Sequence, residues 1–184
     1  MPAKPMRNKA SSHVHEWLFR SLPLLGLVGG ALKVMHPAQY AAGIFCRESI
    51  RNLEDESITE ALRHWAAPFN AISVINHRES PLHRDPDTTS TMLDMLLTLG
   101  KYTGAILELR NLGVRMDYRP GSMVASSGKM VRHGASECKG ERSCHAFYMR
   151  TAVVERANVE WPDMMKWNTY TKHDEDFVEA LNRF

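Results

Sequence analysis

The 184-residue chain reads as an α+β protein, mainly β, with helices first and a compact unit of about eight strands after them. Three observations carry this reading. Apolar residues recur at helical intervals as far as Pro68, and beyond it short apolar or alternating segments follow at about ten-residue spacing. Gly, Pro and Asn separate those segments, as in a sandwich or barrel of antiparallel strands.

Taken in order, Met1 to Ser12 is polar, with Lys4, Arg7 and Lys9, and is expected to be a disordered arm. Residues 13–184 are expected to form a single domain: helices over 13–68, a β core over 69–154 and a C-terminal extension over 155–184. "HEWLFRSL", "ALKVM" and "YAAGIFCRESIRNL" predict two or three short helices, interrupted at Pro23, at the Gly29 and Gly30 pair and at Pro37. In "DESITEALRHWAAP", Ser57 has the chemistry of an N-cap with Glu60 three residues on, and Ile58, Leu62 and Trp65 then share one face until Pro68.

Past Pro68 the expected strands are "NAISVIN", "TMLDMLLTLG", "GAILELRNLG", "VRMDYRPG", "SMVASSG", "KMVRHG" and "RSCHAFYMRTAVV". The second of these could equally begin as a short helix. From Glu155, Pro162, Asn168 and the acidic "HDEDF" suggest loop and a final helical turn.

Composition excludes several classes. With 23 Lys plus Arg against 21 Asp plus Glu the net charge is +2, so any polyanion binding must come from a local patch. Three cysteines, Cys46, Cys138 and Cys144, without C-x-x-C spacing suggest neither a disulfide framework nor a cysteine zinc module. The longest apolar stretch, "LPLLGLVGGAL", is far short of the roughly 20 residues of a membrane span. No membrane partner and no secretion are expected.

The concentration of reactive side chains is "SPLHRDPDTTSTM". A kinase catalytic loop would need an Asn five residues past Asp85 and a downstream D-F-G; position 90 is Ser90 and no D-F-G occurs. In an extended segment, by contrast, His83 and Asp85 project to one side and Arg84 to the other. His133 lies 48 residues after Asp85 (133 minus 85), enough chain for several short strands to cross and return to the same place. Two histidines and a carboxylate on one face of an ion suit a non-haem iron(II) oxygenase, and equally suit catalytic zinc. A second substrate with a free carboxylate, such as 2-oxoglutarate, would need a buried cation, and Arg142, nine residues after His133, stands in the next strand.

In combination, H-R-D at 83–85, "YTGAILELRNLGVRMDYRPGSMV", "VRHG" and "GERSCHAFYMR" resemble the TET/JBP-like 2-oxoglutarate- and Fe(II)-dependent dioxygenases, in a form closest to that of mushroom-forming fungi. The match covers about Ile75 to Arg150. The resemblance implies a double-stranded β-helix (jelly roll) supported by the N-terminal helices. It further implies Fe(II), 2-oxoglutarate and O2 as cofactor and co-substrates, with His83, Asp85 and His133 as metal ligands and catalytic centre. Arg142 would bind the distal carboxylate of 2-oxoglutarate, with Phe147 and Tyr148 in register with the family's strand and Asn76 within reach of the keto acid or base.

The implied partner is DNA with a flipped modified base, and the implied reaction is oxidation of the methyl group of 5-methylcytosine. A nuclear or nucleo-cytoplasmic location and a role in DNA demethylation go with it. Two positions depart from the family: Thr88 stands where TET-type enzymes have Asn or Asp, and Arg150 where they have a base-contacting histidine. Both are expected to face the substrate, and they keep N6-methyladenine, RNA, protein or a small molecule open as targets. An inactive jelly-roll binding module is the reading from a different class. Lys101, Arg110, Arg115, Arg119, Lys129, Arg132 and Lys139 are the candidate phosphate contacts.

Overall fold

The computed structural model describes residues 11–52, 59, 60 and 62–166. The arm expected at Met1–Ser12 falls outside these residues except for Ser11 and Ser12, which open a helix; the final helical turn expected near "HDEDF" also lies outside. Helices α1 (Ser11–Arg20), α2 (Leu22–Met35) and α3 (Pro37–Arg51) come first, followed by eight strands and a short helix. Among the described residues no single helix is long and apolar enough to cross a membrane.

Helix α2 runs straight through Gly29 and Gly30, where the sequence suggested a break. Gly29 serves close packing instead: a Cβ there would meet the Pro68 ring at 3.1 Å. Pro23 and Pro37 sit in the first turns of α2 and α3, where a missing N–H costs nothing. Ser57 and Ile58 of the next expected helix lie outside the described residues. Thr59, Glu60 and Leu62 are helical, but the helix has ended by Trp65, whose indole N–H donates to the Phe69 carbonyl at 2.6 Å.

The strands are β1 (Ala71–Asn76), β2 (Ser80–His83), β3 (Asp94–Thr103), β4 (Ile106–Leu109), β5 (Val114–Asp117), β6 (Met123–Ser126), β7 (His133–Ala135) and β8 (Lys139–Tyr148). They form two four-stranded antiparallel sheets, β1-β8-β3-β6 and β2-β7-β4-β5. Both orders interleave the first and second halves of the chain, which is the winding of a double-stranded β-helix, the jelly roll expected of this sequence.

Strand β3 explains why "TMLDMLLTLG" was ambiguous. Its outward residues Met95 and Leu97 bury against the helices while Leu96, on the other face, lines the interior, so the run is apolar on both sides and carries no alternation. "KMVRHG" is a turn whose last two residues begin a strand: His133 opens β7 rather than ending a strand. "TAVV", expected as the continuation of β8, is the start of helix α4 (Thr151–Arg156).

One apolar cluster fills the layer between helices and the first sheet, including Leu18, Leu25, Val28, Leu32, Phe69, Met95 and Phe147. A smaller one, with Tyr102, Leu107, Leu109 and Tyr118, lies between the sheets. Two fully buried polar residues tie the helical layer to the chain just before β3. His36 takes a hydrogen bond from Gln39 N at Nδ1, so its Nε2–H donates to the Thr91 carbonyl at 3.0 Å. The Gln39 amide donates to the Leu93 carbonyl and accepts from the Leu93 N–H, both at 2.8 Å, as a neighbouring strand would.

Candidate metal centre and co-substrate pocket

The register of the second sheet sets His83 directly opposite His133, with ring centroids 4.4 Å apart. Each ring is fixed in the same way. His83 Nδ1 lies 2.7 Å from the Pro81 carbonyl and His133 Nδ1 lies 2.9 Å from the Val131 carbonyl, in both cases two residues back along the chain. A carbonyl only accepts, so both Nδ1 atoms carry a proton, which in the neutral ring leaves the lone pair on Nε2.

Those lone pairs face Asp85, at 3.5 Å from Oδ1 for His83 and 3.8 Å from Oδ2 for His133. Asp85 is anchored from behind, its N–H donating to the Gly128 carbonyl at 3.0 Å. One donor atom from each of the three residues lies within 4.8 Å of the others. Three ligand atoms converging in this way can share a cation, and this set of two imidazoles and one carboxylate suits Fe(II). Arg84 is exposed and stands outside the group.

Arg142 is the fourth residue of β8 and is 4% exposed, not a surface strand residue. Its partner across β3 is Gly100, so no side chain covers it from that strand. One guanidinium nitrogen, Nη2, donates to the Arg78 carbonyl at 2.8 Å; the other, Nη1, is buried without a partner among the described residues. Around it stand Tyr102, whose hydroxyl is likewise buried without a partner among the described residues, and Tyr118, whose hydroxyl meets the Cys144 sulfur at 3.7 Å. Burial pushes both phenols and the Cys144 thiol up, so all three stay protonated near neutral pH. A guanidinium edge beside neutral hydroxyls is a site for a carboxylate.

A cavity of about 240 Å³ joins these parts. His83, Asp85, His133 and Arg142 line it, as do Thr88 and Arg150, so six of the seven residues singled out in the sequence come together. Thr88 is 5% exposed, and its hydroxyl has no partner among the described residues. Arg150 precedes α4, its backbone bracketed by Asn70, and its guanidinium lies 5.9 Å from the Tyr148 ring.

Asn76 is the exception. It is exposed, pairs with Ser143 and does not line the cavity, because the alternation of β1 turns Ile75 inward and its neighbour outward.

The sequence assigned no site role to Asp94 or Tyr118, nor to Ser73, whose hydroxyl lies 3.1 Å from that of Tyr148, a residue noted only as in register with the family's strand; all four line the cavity. The signal for Asp94 was a lone acid inside an apolar run. Buried, and secondarily beside Asp85, its carboxyl is pushed up to about 7.

An interleaved jelly roll with a His-Asp-His set facing a buried arginine defines the class of 2-oxoglutarate- and Fe(II)-dependent dioxygenases. The model of the Tet_JBP family, the oxygenase domain of the 2OGFeDO superfamily, matches residues 2–151, and the chain belongs to that family. No curated protein matches it. Among solved structures it is similar to NgTET1 in complex with 5mC DNA, at 13% identity and a TM-score of 0.43, over 79% of this chain. The chain spans 62% of that structure's length, less than two thirds.

Proposed function

We propose that this chain oxidises the methyl group of a modified base in DNA, with 5-methylcytosine as the first candidate, and that it acts in the nucleus in DNA demethylation. Bound Fe(II) would activate O2 so that one oxygen atom enters a substrate C–H bond while 2-oxoglutarate loses CO2 and becomes succinate. His83, Asp85 and His133 would hold the metal. Arg142, with Tyr118, would bind the far carboxylate and thereby orient the keto acid, and the apolar wall of Ile75, Leu96, Leu107 and Ala146 would keep water away. Thr88, Arg150 and Tyr148 remain on the cavity wall for the target.

The observation favouring nucleic acid over a free metabolite is the charge around the metal loop. Arg84 is exposed within that loop, Lys129 donates to the Pro86 carbonyl at 2.7 Å, exposed Arg132 immediately precedes His133, and Arg150 lines the cavity. Among the described residues none of these four is in an ion pair, whereas Arg110 and Arg119, farther out, are bound to Glu108 and Asp117. Exposed unpaired cations beside a concave site fit a phosphate backbone.

The test is nucleoside mass spectrometry after incubation of methylated DNA with protein, Fe(II) and 2-oxoglutarate. Hydroxymethylcytosine is the expected product. Succinate release without any oxidised base would defeat the substrate assignment, and oxidation confined to N6-methyladenine or RNA would replace it.

A further inference from the structure

Asp94 poses a question that the oxygenase chemistry leaves unanswered. It opens β3, is 5% exposed, lines the cavity and has no cation as partner among the described residues. Acids are rarely buried unless paired, because desolvation of the carboxylate costs several kcal/mol. Among the described residues its carboxylate meets one hydrogen-bond donor, a backbone one: the Gly128 N–H donates to Oδ2 at 3.0 Å, while Oδ1 has no partner.

Gly128 is also the residue whose carbonyl takes the Asp85 N–H, at 3.0 Å. One residue therefore connects the two acids: Asp94 holds its N–H and its carbonyl holds Asp85. The space is closed as well. A Cβ on Gly128 would collide with carboxylate oxygens of both Asp94 and Asp85, so the two side chains pass each other over a bare Cα. The turn at Gly128 is otherwise held by Ser127, whose carbonyl accepts from Met130 and Val131 at 3.1 and 2.8 Å, and Val131 in turn supplies the carbonyl that orients His133.

We propose that Asp94 is a positioning residue for the metal centre: by holding Gly128 it fixes where Asp85 presents its carboxylate. The inference rests on the metal reading above. Asp94 acts through hydrogen-bond geometry, so any side chain that accepts from Gly128 at the same place can replace it. Asparagine, with a carbonyl oxygen where Asp94 has Oδ2, is such a side chain; alanine is not.

The experiment is Mn(II) titration of the metal-free full chain, followed by electron paramagnetic resonance, which reads metal binding without turnover. Asp94→Ala and Gly128→Ala are each expected to weaken Mn(II) binding by about 10- to 100-fold, the usual effect of removing an outer partner of a metal ligand. Asp94→Asn is expected to stay within about 3-fold of wild type. Near-UV circular dichroism selects variants that retain the native packing.

If folded Asp94→Ala binds Mn(II) as wild type does, the proposal is overturned. It is equally overturned if Asp94→Asn loses as much affinity as Asp94→Ala, since negative charge rather than the hydrogen bond from Gly128 would then be what matters. A wild-type protein that takes up no Mn(II) would instead bring down the metal reading itself, and this inference with it.

Discussion

His83 and His133 face each other across one antiparallel strand pair with their rings 4.4 Å apart, yet one side chain is 44% exposed and the other 9%. Two residues of the same proposed role thus differ in what they contribute to folding. His83→Ala and His133→Ala should each lower 2-oxoglutarate turnover by at least about 100-fold. On the metal-free protein, His83→Ala should change stability by less than about 0.5 kcal/mol, as an exposed site does, and His133→Ala by about 1–2 kcal/mol. Succinate release and urea melts measure the two effects separately.

Arg142 presents one free guanidinium edge to the cavity, and a lysine cannot reproduce it. Arg142→Lys is expected to raise the apparent KM for 2-oxoglutarate by roughly 10- to 100-fold with a smaller change in kcat. Tyr118→Phe should raise it by only about 3- to 10-fold, because a neutral hydroxyl contributes less than a charged donor. Steady-state kinetics with varied 2-oxoglutarate decides between these outcomes and no effect at all.

Removing Arg84, Lys129 and Arg132 together, each to Ala, should reduce the slope of log affinity for duplex DNA against log salt by about 2 to 3, roughly 0.9 for each phosphate no longer neutralised. Lys101→Ala with Lys139→Ala should leave that slope unchanged. These two lie at the end of the β3–β8 pair away from Arg150. Fluorescence anisotropy at several salt concentrations provides the slope.

Stability should decline as the solution is acidified below pH 6.5. His36 and His145 are buried at 0% and 6% exposure, and desolvation holds both pKa values below the ordinary 6.5. Between the depressed folded pKa and 6.5 the unfolded chain binds the proton and the native one does not, so the contribution is present above pH 6.5 and lost below it. His145 stacks flat on Trp17 of α1, at 6.0 Å and 6°. His145→Phe keeps that stack and should flatten part of the pH profile, leaving the His36 share. Thermal melts from pH 5 to 8 follow both.

Much of the site was legible because ligand spacing obeys backbone arithmetic. His83 and Asp85 are two residues apart in an extended segment, and His133 returns on the strand paired with β2. Arg142 could be anticipated from chemical need. What the sequence hid was anything decided by neighbours distant along the chain: β3 is apolar on both faces and shows no period, and the turn just before "KMVRHG" is where Asp94 takes the Gly128 N–H. Asn76 went the other way, a polar residue near the motif whose strand alternation turns it outward.

Gln39 holds both backbone groups of Leu93 with a side chain from α3, one residue before Asp94. A protein trimmed to its two sheets would expose that pair of hydrogen-bonding groups beside the proposed support of the metal centre. The helical layer is therefore no removable cap, and any fragment of this chain that keeps this contact must include α3.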